Sequence, residues 1–124
     1  MIYGTGIDIA QVSRFEKWYD KKSIAERYFY AEEVAYIYSL SRTAALQSMA
    51  ARFAAKEAFG KALGIGLKGF ALKDVYVARQ KSGNPRLIVF GAAKKMVDNE
   101  GIIRIHLSLS HEKEYAIAQV ILEK

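Results

Sequence analysis

The order of periodic segments predicts an α+β fold: a small antiparallel sheet packed with one long central helix and several shorter ones. Three observations carry this expectation. Apolar residues keep helical spacing from Ala44 to Leu63, the longest such run in the chain. Ile103, Ile105, Leu107 and Leu109 alternate with Arg104, His106, Ser108 and Ser110, which is the clearest strand pattern. A second β-rich run, Tyr115 to Leu122, follows after only His111-Glu112-Lys113-Glu114, a connection short enough to require an antiparallel return. Strands and helices do not alternate regularly, so a parallel βαβ sheet is not expected.

Each remaining element has its own signal. Ile2 to Ile9 suits a strand, with Tyr3, Ile7 and Ile9 on one face and Ile2, Gly4, Gly6 and Asp8 on the other. From Gln11 to Asp20, Val12, Phe15, Trp18 and Tyr19 fall at helical spacing, and Arg14, Lys17 and Lys21 form a basic edge. Glu32 to Leu40 reads as a second helix. Thr43 is the expected N-cap of the long helix and Gly64 its stop. Lys73 to Gln80 and Leu87 to Phe90 are β-rich runs joined by Ser82-Gly83-Asn84-Pro85, whose residues suit a turn, so a hairpin is expected. Ala92 to Glu100 reads as a short helix ended by Gly101.

The 124 residues fit one domain, 1–124, with no repeat, linker or low-complexity segment. Hydrophobic residues make up 52% of the chain and proline occurs once, which excludes disordered and collagen-like classes. No cysteine is present, so disulfides, thiolate metal sites and cysteine nucleophiles are all excluded. The start of the chain lacks a signal-peptide pattern and no apolar stretch is long enough to span a bilayer, so a cytoplasmic protein without membrane association is expected. Nineteen Lys and Arg against thirteen Asp and Glu leave a formal charge of +6, which favours an anionic partner. That charge is spread along the chain, whereas nucleic-acid modules cluster it.

Within the long helix, Glu57 and Lys61 lie about 20° and 60° from Leu46 around the axis, so a carboxylate and an ammonium share its apolar face. An ordinary i, i+4 pair would look the same and contribute about 0.2–0.5 kcal/mol. Asp8, at the polar end of the first strand, adds a carboxylate from a separate element. Two such carboxylates suit Mg²⁺ when substrate phosphates and waters complete its shell. Arg104, His106, Ser108, Ser110 and His111 form a second constellation, suited either to phosphate contacts or to a solvated strand face. His106 and His111 stand five apart on a strand and point to different sides, which argues against a shared metal. Gly64-Ile65-Gly66-Leu67-Lys68-Gly69 matches G-x-G-x-x-G but follows a helix, so it is no dinucleotide loop. Its backbone N–H groups remain candidates to approach a phosphate.

Three blocks then stand in a familiar order. Gly4-Thr5-Gly6-Ile7-Asp8-Ile9 with Arg14-Phe15, the run Arg52-Phe53-Ala54-Ala55-Lys56-Glu57-Ala58-Phe59-Gly60-Lys61-Ala62-Leu63-Gly64, and Leu107-Ser108-Leu109-Ser110-His111 closely resemble the holo-[acyl-carrier-protein] synthases, the small branch of the 4′-phosphopantetheinyl transferases. Gly83-Asn84-Pro85 matches the family's G-x-P turn, and the resemblance spans nearly the whole chain. Gly60 and Ile65 depart from it, standing where serine or alanine and threonine are common.

The resemblance implies the family's fold and a transferase that moves 4′-phosphopantetheine from coenzyme A to a serine of apo acyl carrier protein, a step of fatty acid biosynthesis, releasing adenosine 3′,5′-bisphosphate. It implies Asp8 and Glu57 as Mg²⁺ ligands, Lys61 on the pyrophosphate, and Arg52, Gly64, Gly83, Asn84, Pro85, Ser110 and His111 around the nucleotide. Lys61 and His111, with the two acids, are the implied catalytic residues. Arg14, with Lys17 and Lys21 beside it, becomes the docking strip for the acidic carrier. A homotrimer with active sites between protomers is also implied. For the serine proton, Glu57 and a metal-bound water both remain open, with the water favoured because a cation lowers the basicity of its own ligand. The alternative reading of the charge and aromatic content is a small basic nucleic-acid-binding module.

Overall fold

The computed structural model describes all 124 residues. Strand β1 (Ile2–Gln11) runs into a 3-10 turn (Val12–Phe15) and three short helices, α1 (Glu16–Asp20), α2 (Lys22–Tyr28) and α3 (Ala31–Tyr38). The long helix α4 (Arg42–Leu63) follows, then strands β2 (Val75–Arg79) and β3 (Pro85–Val89), helix α5 (Gly91–Asn99), and strands β4 (Arg104–His111) and β5 (Tyr115–Glu123). One sheet has the order β1-β5-β4 and the hairpin β2-β3 forms the other, all antiparallel. The α+β class and both expected hairpins are therefore present.

The three-stranded sheet lays one face on α4. Its inner positions are unusually small near the helix: Gly4, Gly6, Ala10, Ala116 and Ala118 meet a helix whose Ala50, Ala54, Ala58 and Ala62 are buried. A Cβ on Gly6 would stand 1.9 Å from the Ala58 carbonyl oxygen, and one on Gly4 2.1 Å from that of Ala62. Backbone therefore packs on backbone, and the glycine face of β1 is the inward one. Ile7 and Ile9 point outward, at 60% and 58% exposure. Around this seam Phe15, Phe29, Phe59, Val120 and Leu122 close a contiguous core of 29 buried apolar residues. Burying a side chain of this size contributes about 1.5–3 kcal/mol.

The first helical segment differs from the sequence reading. Gln11 to Asp20 is not one helix but a 3-10 turn followed by α1, because Phe15 leaves helical geometry at the junction (φ −96°, ψ 3°). Lys21 lies between α1 and α2 outside helical geometry (φ −115°, ψ 89°), so Arg14, Lys17 and Lys21 do not share one helix edge, although all three are exposed. Helix α2 was not foreseen, since its single buried residue, Ala25, leaves no apolar stripe to read. The N-cap of α4 is Ser41, not Thr43; its hydroxyl accepts from the Ala44 N–H at 3.3 Å. Gly64 ends the helix as expected, with φ 83°, where a Cβ would be strained.

Candidate active site

The close seam between β1 and α4 brings charged residues together at its edge. Lys61 Nζ donates to Asp8 Oδ1 and to the Ile7 carbonyl, each at 3.0 Å. Glu57 lies one turn before Lys61 on the same side of α4 and is half-buried. Burial pushes its carboxyl pKa up, the charge of Asp8 pushes it further, and Lys61 and Arg14 pull it back. The Arg14 guanidinium lies 4.7 Å from the centre of the Phe53 ring. Two carboxylates and two cations from three elements thus converge; helical spacing puts Glu57 and Lys61 on one face, and the packing of β1 on α4 adds Asp8.

This donor set fits a hard cation. It offers carboxylate oxygens only, and no third His, Cys, Asp or Glu joins to make a closed cage, so several positions are left for substrate oxygens and water, as Mg²⁺ prefers.

A separate cleft of about 360 Å³ opens on the other side of α4. Arg52 and Ser48 form its helical wall, Arg79, Gly83 and Pro85 the β2-β3 side, and His111 the end of β4. Five residues separate Arg52 from Glu57, which is about 140° around the helix. One protomer therefore holds the acidic cluster and the cleft back to back rather than in one site.

The other anticipated residues divide between these places and the outer sheet face. Ser110 pairs with Ile117 on the outer face and points away from His111, whose neighbour Ala116 is inward. His106 is also outward, 2.9 Å from Glu123 Oε1. Gly83 (φ 89°) shapes the turn, where Gln80 N–H donates to the Asn84 carbonyl at 2.9 Å; Asn84 itself is exposed. Gly64 has open space beside it. Its N–H donates to Lys61, however, and those of Ile65 and Gly66 to Gly60. The glycine run after α4 therefore offers none of these three backbone donors to a phosphate, contrary to the expectation from sequence.

Sequence reasoning missed a buried charge cluster beside the cleft. Glu33 and Lys56 are fully buried and Arg52 nearly so. Lys56 Nζ donates to Glu33 at 2.7 Å, and Arg52 Nε to Ser48 Oγ at 3.0 Å. Burial pushes the Lys56 pKa down while Glu33 opposes the shift. The available signal was the pair Arg52 and Lys56, one turn apart among the alanines of α4.

The α+β fold with carboxylates and a lysine at one seam is that of a family the sequence comparison identifies: the chain belongs to the 4′-phosphopantetheinyl transferase superfamily, whose profile matches residues 4–120. Its similar relatives are holo-[acyl-carrier-protein] synthases. That of Treponema denticola is 54% identical over 99% of both chains. The crystal structure of the Bacillus anthracis synthase in complex with CoA (3′,5′-ADP) is 40% identical, with TM-score 0.83 and coverage of 99% of this chain and 97% of that one. The Neisseria meningitidis synthase is 32% identical, with TM-score 0.90 over the full length of both.

Proposed function

We propose that this chain transfers the 4′-phosphopantetheine group of coenzyme A to a serine hydroxyl of apo acyl carrier protein and releases adenosine 3′,5′-bisphosphate. The observation that carries the reading is the convergence of Asp8, Glu57 and Lys61 at the β1-α4 seam, in a chain similar to a synthase crystallised with CoA. The residues 1–124 act as one domain on this reading, and its compartment is the cytoplasm, where carrier and donor would meet.

Attack of the serine oxygen on the pantetheine-bearing phosphorus breaks the bond to the leaving phosphate, so charge on the diphosphate must be neutralised and the reactants aligned. Lys61 is placed to neutralise it, and Asp8 and Glu57 would hold Mg²⁺. When bound, that ion supplies Lewis-acid polarisation of the diphosphate oxygens. Glu57, or a water that it orients, takes the serine proton. Arg52, Arg79 and His111 would bind the nucleotide's phosphates, with Gly83, Asn84 and Pro85 beside it. Arg14, Lys17 and Lys21, though on separate segments, are exposed basic residues that would meet an acidic carrier, where complementary charge speeds encounter and sets orientation.

We read the working form as a homotrimer with active sites between protomers. Two features support it: Glu57 and Arg52 face opposite sides of α4, so a complete site needs a second chain, and the outer sheet face exposes Ile7, Ile9, Tyr115 and Ile117 by 40–60%. Incubation with coenzyme A, Mg²⁺ and apo carrier, followed by mass measurement of the carrier, tests the function. A gain of about 340 Da, one phosphopantetheine, is expected. No gain, with nucleic-acid affinity that falls steeply with salt, would replace this reading by a basic nucleic-acid binder.

A further inference from the structure

The buried charges beside the cleft are unequal in number: two cations share one carboxylate. Glu33 Oε1 accepts from Lys56 Nζ at 2.7 Å and from the Tyr30 N–H at 2.9 Å. Its Oε2 accepts from the Val77 N–H at 3.1 Å and stands 3.5 Å from Arg52 Nη1. The carboxylate thus sits closely on Lys56 and only loosely on Arg52. Lys56 donates in addition to the Leu72 carbonyl at 3.0 Å and to the Val75 carbonyl. Three acceptors for one nitrogen match the three N–H bonds of an ammonium.

Beyond that long 3.5 Å contact with Glu33, the partners of Arg52 are neutral. Its Nε meets Ser48 Oγ and its Nη1 the Val77 carbonyl, and its guanidinium lies 5.0 Å from the centre of the Tyr36 ring. Nη2 makes no hydrogen bond within the chain. Since no buried side-chain nitrogen or oxygen lacks a partner, Nη2 reaches the cleft that Arg52 lines. Arg79 stands 5.3 Å from the same Tyr36 ring, lines the same cleft, and has no carboxylate within salt-bridge distance. Two desolvated positive charges on one carboxylate are costly without a further counter-ion, and the open side of Arg52 faces the cleft.

We propose that Lys56 is a positioning residue for donor binding: by holding Glu33 at 2.7 Å it keeps that carboxylate from closing beyond its 3.5 Å contact with Arg52, and so leaves the Arg52 charge only partly balanced and its Nη2 donor open to an anionic phosphate of the nucleotide. The inference rests on the donor reading given under Proposed function. Lys56 touches no substrate and acts through Glu33 and Arg52. Without Lys56, Glu33 closes on Arg52 and neutralises it. With both Lys56 and Glu33 made neutral, the Arg52 charge returns to the cleft.

Titration calorimetry with adenosine 3′,5′-bisphosphate on the whole protein tests this, alongside steady-state kinetics. Lys56→Met is expected to raise the nucleotide Kd and the coenzyme A KM about tenfold, with kcat and the carrier KM within about twofold. The double variant Lys56→Met/Glu33→Gln is expected to recover nucleotide affinity to within about threefold of the parent. A double variant that binds as weakly as the single one, or a single variant that binds like the parent, overturns the proposal, because a mere structural staple would be weakened further by losing both ends. Failure of the parent protein to bind the nucleotide would instead overturn the donor reading. Should Lys56→Met not fold, a crystal structure of the parent with the nucleotide decides: a phosphate oxygen on Arg52 Nη2 with Glu33 still on Lys56 supports the proposal, and a phosphate away from Arg52 or a Glu33 turned onto it defeats it.

Discussion

Gly6 and Ala58 meet backbone to backbone, with no room for a side chain between strand β1 and helix α4: a Cβ on Gly6 would come within 1.9 Å of the Ala58 carbonyl oxygen and 2.8 Å of the Ala62 nitrogen. That contact sets how far Asp8, two residues along the strand, stands from Glu57 and Lys61. Neither backbone atom belongs to a flexible side chain that can swing away. Gly6→Ala should therefore cost about 1–3 kcal/mol through overpacking and lower turnover as well, because the strand must lift from the helix. Thermal melts and activity measured on the same sample check it; a parent-like melting temperature would show that the seam yields.

The two acids bear on turnover differently from stability. Glu57 is half-buried at the edge of the seam and its carboxyl is held above the usual range by burial first and by Asp8 second. Glu57→Gln removes a repulsion and should leave the melting temperature unchanged or slightly raised, while Asp8→Asn removes the same repulsion together with its half-exposed Lys61 ion pair and should leave it near that of the parent. Turnover should nonetheless fall by about 100-fold or more, the scale of losing a main electrostatic contributor to the transition state. Near-normal rates at saturating Mg²⁺ would remove both residues from the metal site.

Arg14 projects from the 3-10 turn over Phe53, beside the acidic cluster, as the first of the exposed basic residues. Arg14→Ala should raise the carrier KM severalfold and flatten its dependence on salt while leaving coenzyme A affinity alone, because complementary charge acts chiefly on encounter with the acidic protein. Equal losses for both substrates would reassign Arg14 to the donor.

The outer sheet face can be tested without touching either half of the site. Ile9 and Ile117 are directly paired across β1 and β5 and are 58% and 41% exposed. Ile9→Lys and Ile117→Glu should each convert the assembly to monomers in sedimentation velocity, with activity lost and circular dichroism retained. A parent-like sedimentation coefficient in both variants would remove this face from the interface.

Much of the fold is legible in the chain because its signals are local. Alternation in β4 is strict, its connection to the apolar run of β5 is short, and Gly64 stops α4 where a left-handed residue is needed. Glu57 and Lys61 are legible too, since helical periodicity alone puts them on one face, whereas Asp8 joins them only through the family resemblance. Other features have no local signal. Helix α2 buries only Ala25, and the Phe15 junction that breaks the first helix follows from packing against Trp18 and Phe53.

By itself, then, the amino-acid order determined the α+β class, the long helix, the closing hairpin and the shared face of Glu57 and Lys61, because periodicity, turn chemistry and i, i+4 spacing act over a few residues. Only the tertiary structure decided which face of β1 turns inward and that Arg52 and Lys56 share Glu33 beneath a cleft. Those outcomes depend on how closely a glycine strand approaches an alanine helix and on which distant carboxylate a buried cation reaches, and such distances are set by packing across the whole core.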